Sequence, residues 1–268
     1  MQYENCNTLA LFVASSDNTR DVFKTVGQSF PRYWPICRYQ KYVGLNTTGG
    51  ATVVMGFTPV LAPVGGWRQE LRAQIAQLRE EYVLLMLDDF LLLAPVNEIR
   101  INHLVSLAAE RDIDYLRLIP LTGSWVDKIL ARLVSRLRGE EVVPVPSDMP
   151  YFSSLQAAIW RREHLLDMLD SYPEKMIWNF EHHSLPGRKH FAVAYTPPIR
   201  YEHLVEKGQW LPYAQSRLIR HGIKTICDAR PVWPRTYRLR IYFGKFVFGL
   251  IGYSWLKAKR KARERTHG

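Results

Sequence analysis

Cysteine is scarce in this chain: Cys6, Cys37 and Cys227 are the only three, and their spacing shows no pairing. That excludes a disulfide framework and a cysteine-based zinc site, and it fits a reducing compartment. Long hydrophobic runs are also missing. A spanning helix needs roughly 20 apolar residues, whereas "IYFGKFVFGLIGYSWL", Ile241 to Leu256, has 16 residues with one Lys and three Gly among them. The N-terminus "MQYENCNTLALFVAS" has neither a basic leader nor a small-residue cleavage site, so no signal peptide is expected. There is no internal repeat and no low-complexity segment. Acidic residues are in deficit, 25 against 36 Lys and Arg, for a formal charge of +11. The excess is local: Arg235 to Gly268 carries ten Lys or Arg against Glu264, which is +9 of the +11. The rest of the chain is close to neutral.

What is present suits a packed domain. The 268 residues are 47% hydrophobic and 23% charged, enough for one sizeable core with an appendage. Apolar runs alternate with helical patterns. "LALFVAS" reads as a strand running into a polar loop, "RDVFKTVGQSF" as a helix and "YQKYVGL" as a second strand. "TVVMGFTPVLAPVGG" mixes short strands with loops. Leu71, Ile75 and Leu78 mark a helix, and "YVLLMLDD" then reads as a strand buried on both faces. Further helices are predicted at "VNEIRINHLVSLAAERD", "SWVDKILARLVSRLRG", "RREHLLDMLDSY" and "LPYAQSRLIRHG". In the second of these, Ile129, Leu133, Val134 and Leu137 are expected to face inward. Strands are predicted at "IDYLRLIPL", at "YFSSLQAAIW", and as a pair around Pro197 and Pro198. This alternation predicts an α/β fold with a mainly parallel sheet flanked by helices, and such sheets bind ligands beyond the carboxyl ends of their strands.

Asp88 and Asp89 interrupt the apolar run "VLLMLDDFLLL" at such an end. A carboxylate in an apolar setting costs several kcal/mol unless it is paired. Adjacent strand residues point to opposite faces, so both can serve one site only if the chain bends there, and Pro95 follows closely. One carboxylate could then hold a divalent cation, a hard ion that prefers oxygen ligands, and the other a sugar hydroxyl. The plainer alternative is a cap or an ion pair with Arg. In "WNFEHH", Glu181 stands among aromatics and beside His182 and His183. A partly apolar surround holds a carboxylate near the pKa a general base needs; the alternative is an exposed helix-start Glu. Adjacent histidines on a helix diverge, which weakens a metal cluster there.

The order of these segments, from the "GW" helix through "YVLLMLDDF", "YFSSLQAAIWRREHLLDML" and "WNFE" to "HLVEKGQW", resembles bacterial GT-A-fold glycosyltransferases of surface-polysaccharide synthesis, of the O-antigen, capsule or lipooligosaccharide type. The resemblance covers roughly Leu9 to Gly222. It implies an inverting transferase that uses a nucleotide-diphosphate sugar and a divalent cation, Mg²⁺ or Mn²⁺. By that resemblance Asp89 is the metal ligand and Asp88 a donor contact, although Asp-Asp-Phe stands where the family has Asp-x-Asp. Glu181 is the catalytic base. Ser15 and Asp17, in the loop after the first strand, face the nucleotide. Trp67 either stands beside the donor or is a core Trp at a helix start, and Lys207, in "KGQW", either closes over the pyrophosphate as a further donor contact or belongs to a surface turn. Ser154, Gln156 and Trp178 are expected to face the acceptor, a glycan or lipid-linked glycan, the alternative for Ser154 and Gln156 being ordinary strand residues.

The chain thus divides into a GT-A-like catalytic domain over 1–230 and a basic, aromatic-rich segment over 231–268. The latter has the composition of an interfacial membrane anchor on anionic lipid, or of a core helix with a solvated end. Docking would place a cytoplasmic protein on the inner face of the plasma membrane. Two other functions compete with this one. A nucleic-acid-binding protein would interleave its aromatics with the basic residues as stacking platforms, which the tail does not, so no nucleic acid is expected. A metal-dependent phosphohydrolase would need a denser set of His and Asp ligands.

Overall fold

The computed structural model describes residues 8–49, 55–121, 125–147, 149, 151–172, 180–224, 230–237 and 239. Its centre is an eight-stranded sheet. The strands of the chain are β1 (Leu9–Ala14), β2 (Gln40–Leu45), β3 (Thr58–Leu61), β4 (Tyr82–Leu87), β5 (Phe90–Leu92), β6 (Tyr115–Arg117), β7 (Val142–Pro144), β8 (Ala158–Arg161), β9 (His190–Val193), β10 (Tyr201–His203), β11 (Val205–Glu206) and β12 (Gln209–Trp210). Helices are α1 (Arg20–Val26), α2 (Ser29–Tyr33), α3 (Trp67–Ile75), α4 (Glu98–Glu110), α5 (Trp125–Arg138), α6 (Arg162–Ser171) and α7 (Ala214–Arg220). The large sheet has the order β3-β2-β1-β4-β8-β6-β9-β7, with β8 and β7 antiparallel to their neighbours and the other pairs parallel. It is the mixed, mainly parallel α/β sheet that the alternation of elements predicts. Two small antiparallel sheets, β5 with β10 and β11 with β12, stand apart from it.

The unbroken apolar run of β4 has a direct cause. Strand residues alternate between faces, and both faces of this sheet are covered. Tyr82, Leu84 and Met86 join Leu9, Leu11 and Val13 in a core shared with Phe23, Phe30, Ile101 and Leu104 of α1, α2 and α4. Val83 and Leu85 join Ala10 and Phe12 on the other side, against Leu71 and Ile75 of α3 and Leu165, Met168 and Leu169 of α6. Val83, Leu84, Leu85 and Met86 have no exposed surface, and each contributes about 1.5–3 kcal/mol by leaving water.

Registration sets the place of the site. Ala14 pairs with Leu87, so β1 and β4 end level. After β3 the chain returns to lay β4 on the far side of β1 from β2. This reversal of strand order opens a crevice beyond the carboxyl ends of β1 and β4.

Two expectations change. The predicted strand "YFSSLQAAIW" is a strand only over its last residues, in β8; Tyr151 to Phe152 turn, and the segment up to Gln156 is irregular. In α5 the four residues expected in the core do not face inward: Ile129 is 64% exposed, Leu133 54%, Val134 40% and Leu137 79%. In the second core, His164 of α6 and His190 of β9 meet with their Nε2 atoms 2.8 Å apart, both buried. Burial pushes His164 down to about 4 and His190 down to about 3, so the pair is neutral in the fold, one ring donating and the other accepting.

Candidate active site

β4 stops at Leu87, and Asp88 and Asp89 form a turn before β5 begins at Phe90. That turn brings the two carboxylates to one place: both line a single cavity of about 790 Å³. The Asp88 backbone N–H donates to the Ala14 carbonyl at 3.2 Å, continuing the β1–β4 ladder by one bond. Its carboxylate accepts the Ser15 hydroxyl at Oδ2, 2.7 Å. Burial and the neighbouring charge of Asp89 push Asp88 up to about 7, against the opposing help of the Thr19 and Ser15 hydroxyls. Asp89 is buried and turned toward the small sheets. Its Oδ2 accepts the Val205 backbone N–H at 3.3 Å and lies 3.4 Å from Nδ1 of His203, while its carbonyl accepts from the Leu204 N–H at 3.2 Å.

Glu181 lines the same cavity from the opposite part of the chain. It follows Phe180, which is wholly buried and packed edge-on against Trp67 and Tyr172, with ring centroids at 5.4 Å in both pairs. The side chain is held at one oxygen. Oε1 accepts the Leu155 N–H at 2.8 Å and the Ser154 hydroxyl at 3.0 Å. Both bonds fall on Oε1, which leaves Oε2 without a partner among the described residues. The irregular stretch before β8 thus turns a backbone N–H and a hydroxyl onto this carboxylate, which a regular strand would direct elsewhere.

Gln156 connects the two halves. Its carboxamide meets Nε2 of His203 (3.0 Å from Nε2, 3.2 Å from Oε1) and accepts the Tyr201 hydroxyl at 2.7 Å. Asp89, His203, Gln156 and Tyr201 therefore form one continuous polar wall. Burial pushes the Tyr201 phenol well up, and its ring stacks on Phe90 at 4.2 Å. Lys207 sits at the tip of the β11–β12 hairpin and also lines the cavity. Lys207 and Gly208 have φ of 50° and 77°, the left-handed pair of a two-residue type I′ turn.

Of the residues expected at a site, Asp88, Asp89, Gln156, Glu181 and Lys207 line the cavity. Ser15 and Ser154 stand behind it as hydrogen-bond donors to Asp88 and Glu181. Asp17 does not line it. Its carboxylate accepts from the Thr47 hydroxyl, Arg20 and the backbone N–H groups of Asn46 and Thr47. Burial alone would raise its pKa, but these bonds hold it at about 2. Trp67 packs beneath Glu181 through Phe180. Trp178 lies outside the described residues. His182 and His183 diverge, one accepting from the Tyr151 N–H and the other meeting the Ser171 hydroxyl. His203 and Tyr201 are cavity residues that the sequence did not single out, although His203 stands four positions before Lys207.

Asp88 and Asp89 bring two hard oxygen donors to one cavity, and the upward push of Asp88 comes first from burial and then from the like charge of Asp89, which a cation would neutralise. Among the described residues no group of three or more His, Cys, Asp or Glu converges as a complete ligand set. The pair suits a divalent ion that takes one or two protein carboxylates and completes its shell with phosphate oxygens and water.

No family model and no curated protein matches the chain. Among solved structures, it is similar to S. aureus TarS 1–349 (13% identity, TM-score 0.45, covering 72% of this chain and 59% of that one). It is also similar to the bifunctional IspDF from Campylobacter jejuni (11% identity, TM-score 0.41, 73% and 52% covered). A third is glucosyl-3-phosphoglycerate synthase from Mycobacterium tuberculosis in complex with Mn²⁺, UDP-glucose and phosphoglyceric acid (16% identity, TM-score 0.37, 66% and 63% covered). The chain spans less than two thirds of the length of each. Its fold class rests on the strand order and directions described above.

Proposed function

We propose that the chain is a glycosyltransferase of bacterial surface-glycan synthesis, moving a sugar with inversion from a nucleotide-diphosphate sugar to a hydroxyl of a lipid-linked or oligosaccharide acceptor. One observation carries this reading. Two adjacent carboxylates at the switch point of a mainly parallel sheet share a cavity with a third carboxylate, Glu181, that is anchored by one oxygen and unpartnered at the other among the described residues. Transfer to a hydroxyl needs a base on that hydroxyl and neutralisation of the departing diphosphate. In this reading Glu181 Oε2 takes the acceptor proton as the acceptor oxygen bonds to the anomeric carbon. The bond from that carbon to the diphosphate breaks, and its electron pair leaves with the nucleotide.

Asp89, with Asp88 beside it, would hold a Mg²⁺ or Mn²⁺ ion, whose charge stabilises the diphosphate as it leaves. Lys207 adds a positive charge from the hairpin. In this reading Ser15 orients Asp88, Ser154 orients Glu181, and Gln156, which lines the cavity, would meet the acceptor. The catalytic unit is residues 1–230. Residues 231–268, mostly outside the described residues, dock it to the anionic inner face of the plasma membrane. Among the described residues no helix is long and apolar enough to cross a membrane.

The test is a thermal-shift panel of UDP-, GDP- and dTDP-sugars with and without Mn²⁺. Selective, cation-dependent stabilisation by one donor is expected. Stabilisation by nucleic acid alone would replace this reading with a binding function.

A further inference from the structure

The apolar stripe of α5 is a feature that the cavity does not explain. Ile129, Leu133, Val134 and Leu137 recur at helical spacing on one face and are each at least 40% exposed. Together they present roughly 400 Å² of surface, a patch size that on a monomer is often functional. The helix is also basic: its sequence carries Lys128, Arg132, Arg136 and Arg138 against Asp127 alone. Its place in the fold is specific. β6 runs in the direction of β4, so it ends at the edge of the sheet where Asp88 and Asp89 lie. β7 runs against β9, with Val142 opposite Val193, so it begins at that same edge. α5 joins these two ends. Its last turn is held there by the Glu140 N–H on the Ser135 carbonyl at 2.8 Å and by Arg136 over the Tyr195 ring.

We propose that α5 is a membrane-docking element that lays its apolar stripe into an anionic phospholipid surface at the sheet edge that also bears Asp88 and Asp89. Three occupants compete for such a face, and charge separates them. The chain's own remaining segment is strongly basic, +9 over Arg235 to Gly268, and a helix of net charge +3 would repel it. A second copy would bring two such helices together. The stripe also offers only about half of the roughly 800 Å² per partner that a stable interface needs. An anionic bilayer attracts the basic residues and accepts the apolar ones, which is the composition of an interfacial helix. The docking stands independently of the transferase reading. Where that reading holds, it turns that sheet edge toward a lipid-linked acceptor.

The experiment uses the full chain with its three native cysteines replaced by serine. A nitrobenzoxadiazole probe is placed at Leu137→Cys or, as a control, at Glu81→Cys, an exposed position at the opposite end of β4. Each protein is mixed with vesicles of phosphatidylcholine alone or with an equal part of phosphatidylglycerol. The probe at 137 should brighten and shift to the blue on the anionic vesicles, and the probe at 81 should not. Combining Ile129→Glu with Leu137→Glu should lower co-sedimentation about ten-fold or more. These positions are exposed, so circular dichroism should not change. Binding with an unshifted probe at 137 would mean that the C-terminal segment docks alone and overturns the proposal. So would a shift that follows protein concentration without vesicles, which marks a second copy, and so would failure to bind vesicles at all.

Discussion

The Ser15 hydroxyl donates to Asp88 Oδ2 at 2.7 Å, a contact between residues 73 positions apart that closes the ends of β1 and β4 onto one carboxylate. It does not neutralise that carboxylate. Burial and Asp89 push Asp88 up to about 7, above the usual 3.8. A group whose folded pKa is raised gives stability that is complete below the unfolded value and lost as pH rises through the folded one. Asp88 therefore destabilises the cation-free protein above neutrality. In EDTA at pH 8, Asp88→Asn should be more stable than the unsubstituted chain by about 1–2 kcal/mol, a figure discounted because the carboxylate faces the open cavity. It should also lose activity. A residue kept only for structure would do the reverse, and chemical denaturation alongside a turnover assay distinguishes the two.

Glu181→Gln keeps the shape and the capacity to accept from Leu155 N–H and Ser154 but cannot take a proton. The chemical step should fall by about 10²–10⁴-fold, with donor affinity nearly unchanged. Ser154→Ala should cost less, since the Leu155 N–H still holds Oε1. Pre-steady-state kinetics on both variants separates binding from chemistry. Loss of donor affinity with full turnover would make Glu181 a ligand.

How far the sequence revealed this site depends on the residue. The buried run Val83 to Met86 and the bend that follows β4 could be read because a strand covered on both faces has one pattern and a carboxylate pair breaks it. The outward stripe of α5 could not. Apolar residues at helical spacing ordinarily mark a core face, and only tertiary position tells an exposed stripe from a buried one. The shortness of β8 was hidden for a related reason: Ser153 to Gln156 has strand composition, but its backbone and hydroxyl are engaged with Glu181. His203 reaches Asp89 only through the β5–β10 pairing, a contact between positions 114 apart that spacing alone does not encode.

Lys207 occupies a left-handed position in its turn, and asparagine tolerates that conformation while lacking the charge. Lys207→Asn should therefore leave the hairpin and the melting temperature intact. Donor affinity should weaken by roughly ten- to a hundred-fold, the worth of one hydrogen bond to a charged group. A calorimetric titration measures the second and differential scanning the first.

The buried His164–His190 pair sets the acid limit of the fold. Both folded pKa values lie below the unfolded value of about 6.5, so the unfolded chain binds more protons on the acid side. Stability is complete above pH 6.5 and falls as pH drops toward the folded values. Between pH 6.5 and 5 the loss should be roughly 2–4 kcal/mol for the pair. His164→Gln combined with His190→Gln should flatten this dependence in urea titrations across the pH range.

The central claim is that Asp88, Asp89 and Glu181 act on one nucleotide sugar in one cavity. The most direct measurement is calorimetric titration of the donor found by the panel, with Mg²⁺ or Mn²⁺ present, into the unsubstituted chain, Asp89→Ala and Glu181→Gln. The account predicts binding to the first, loss of cation-dependent binding in the second with its fold retained, and near-normal binding with turnover lowered about 10²–10⁴-fold in the third. Donor affinity unaffected by Asp89→Ala, or full turnover by Glu181→Gln, would contradict it.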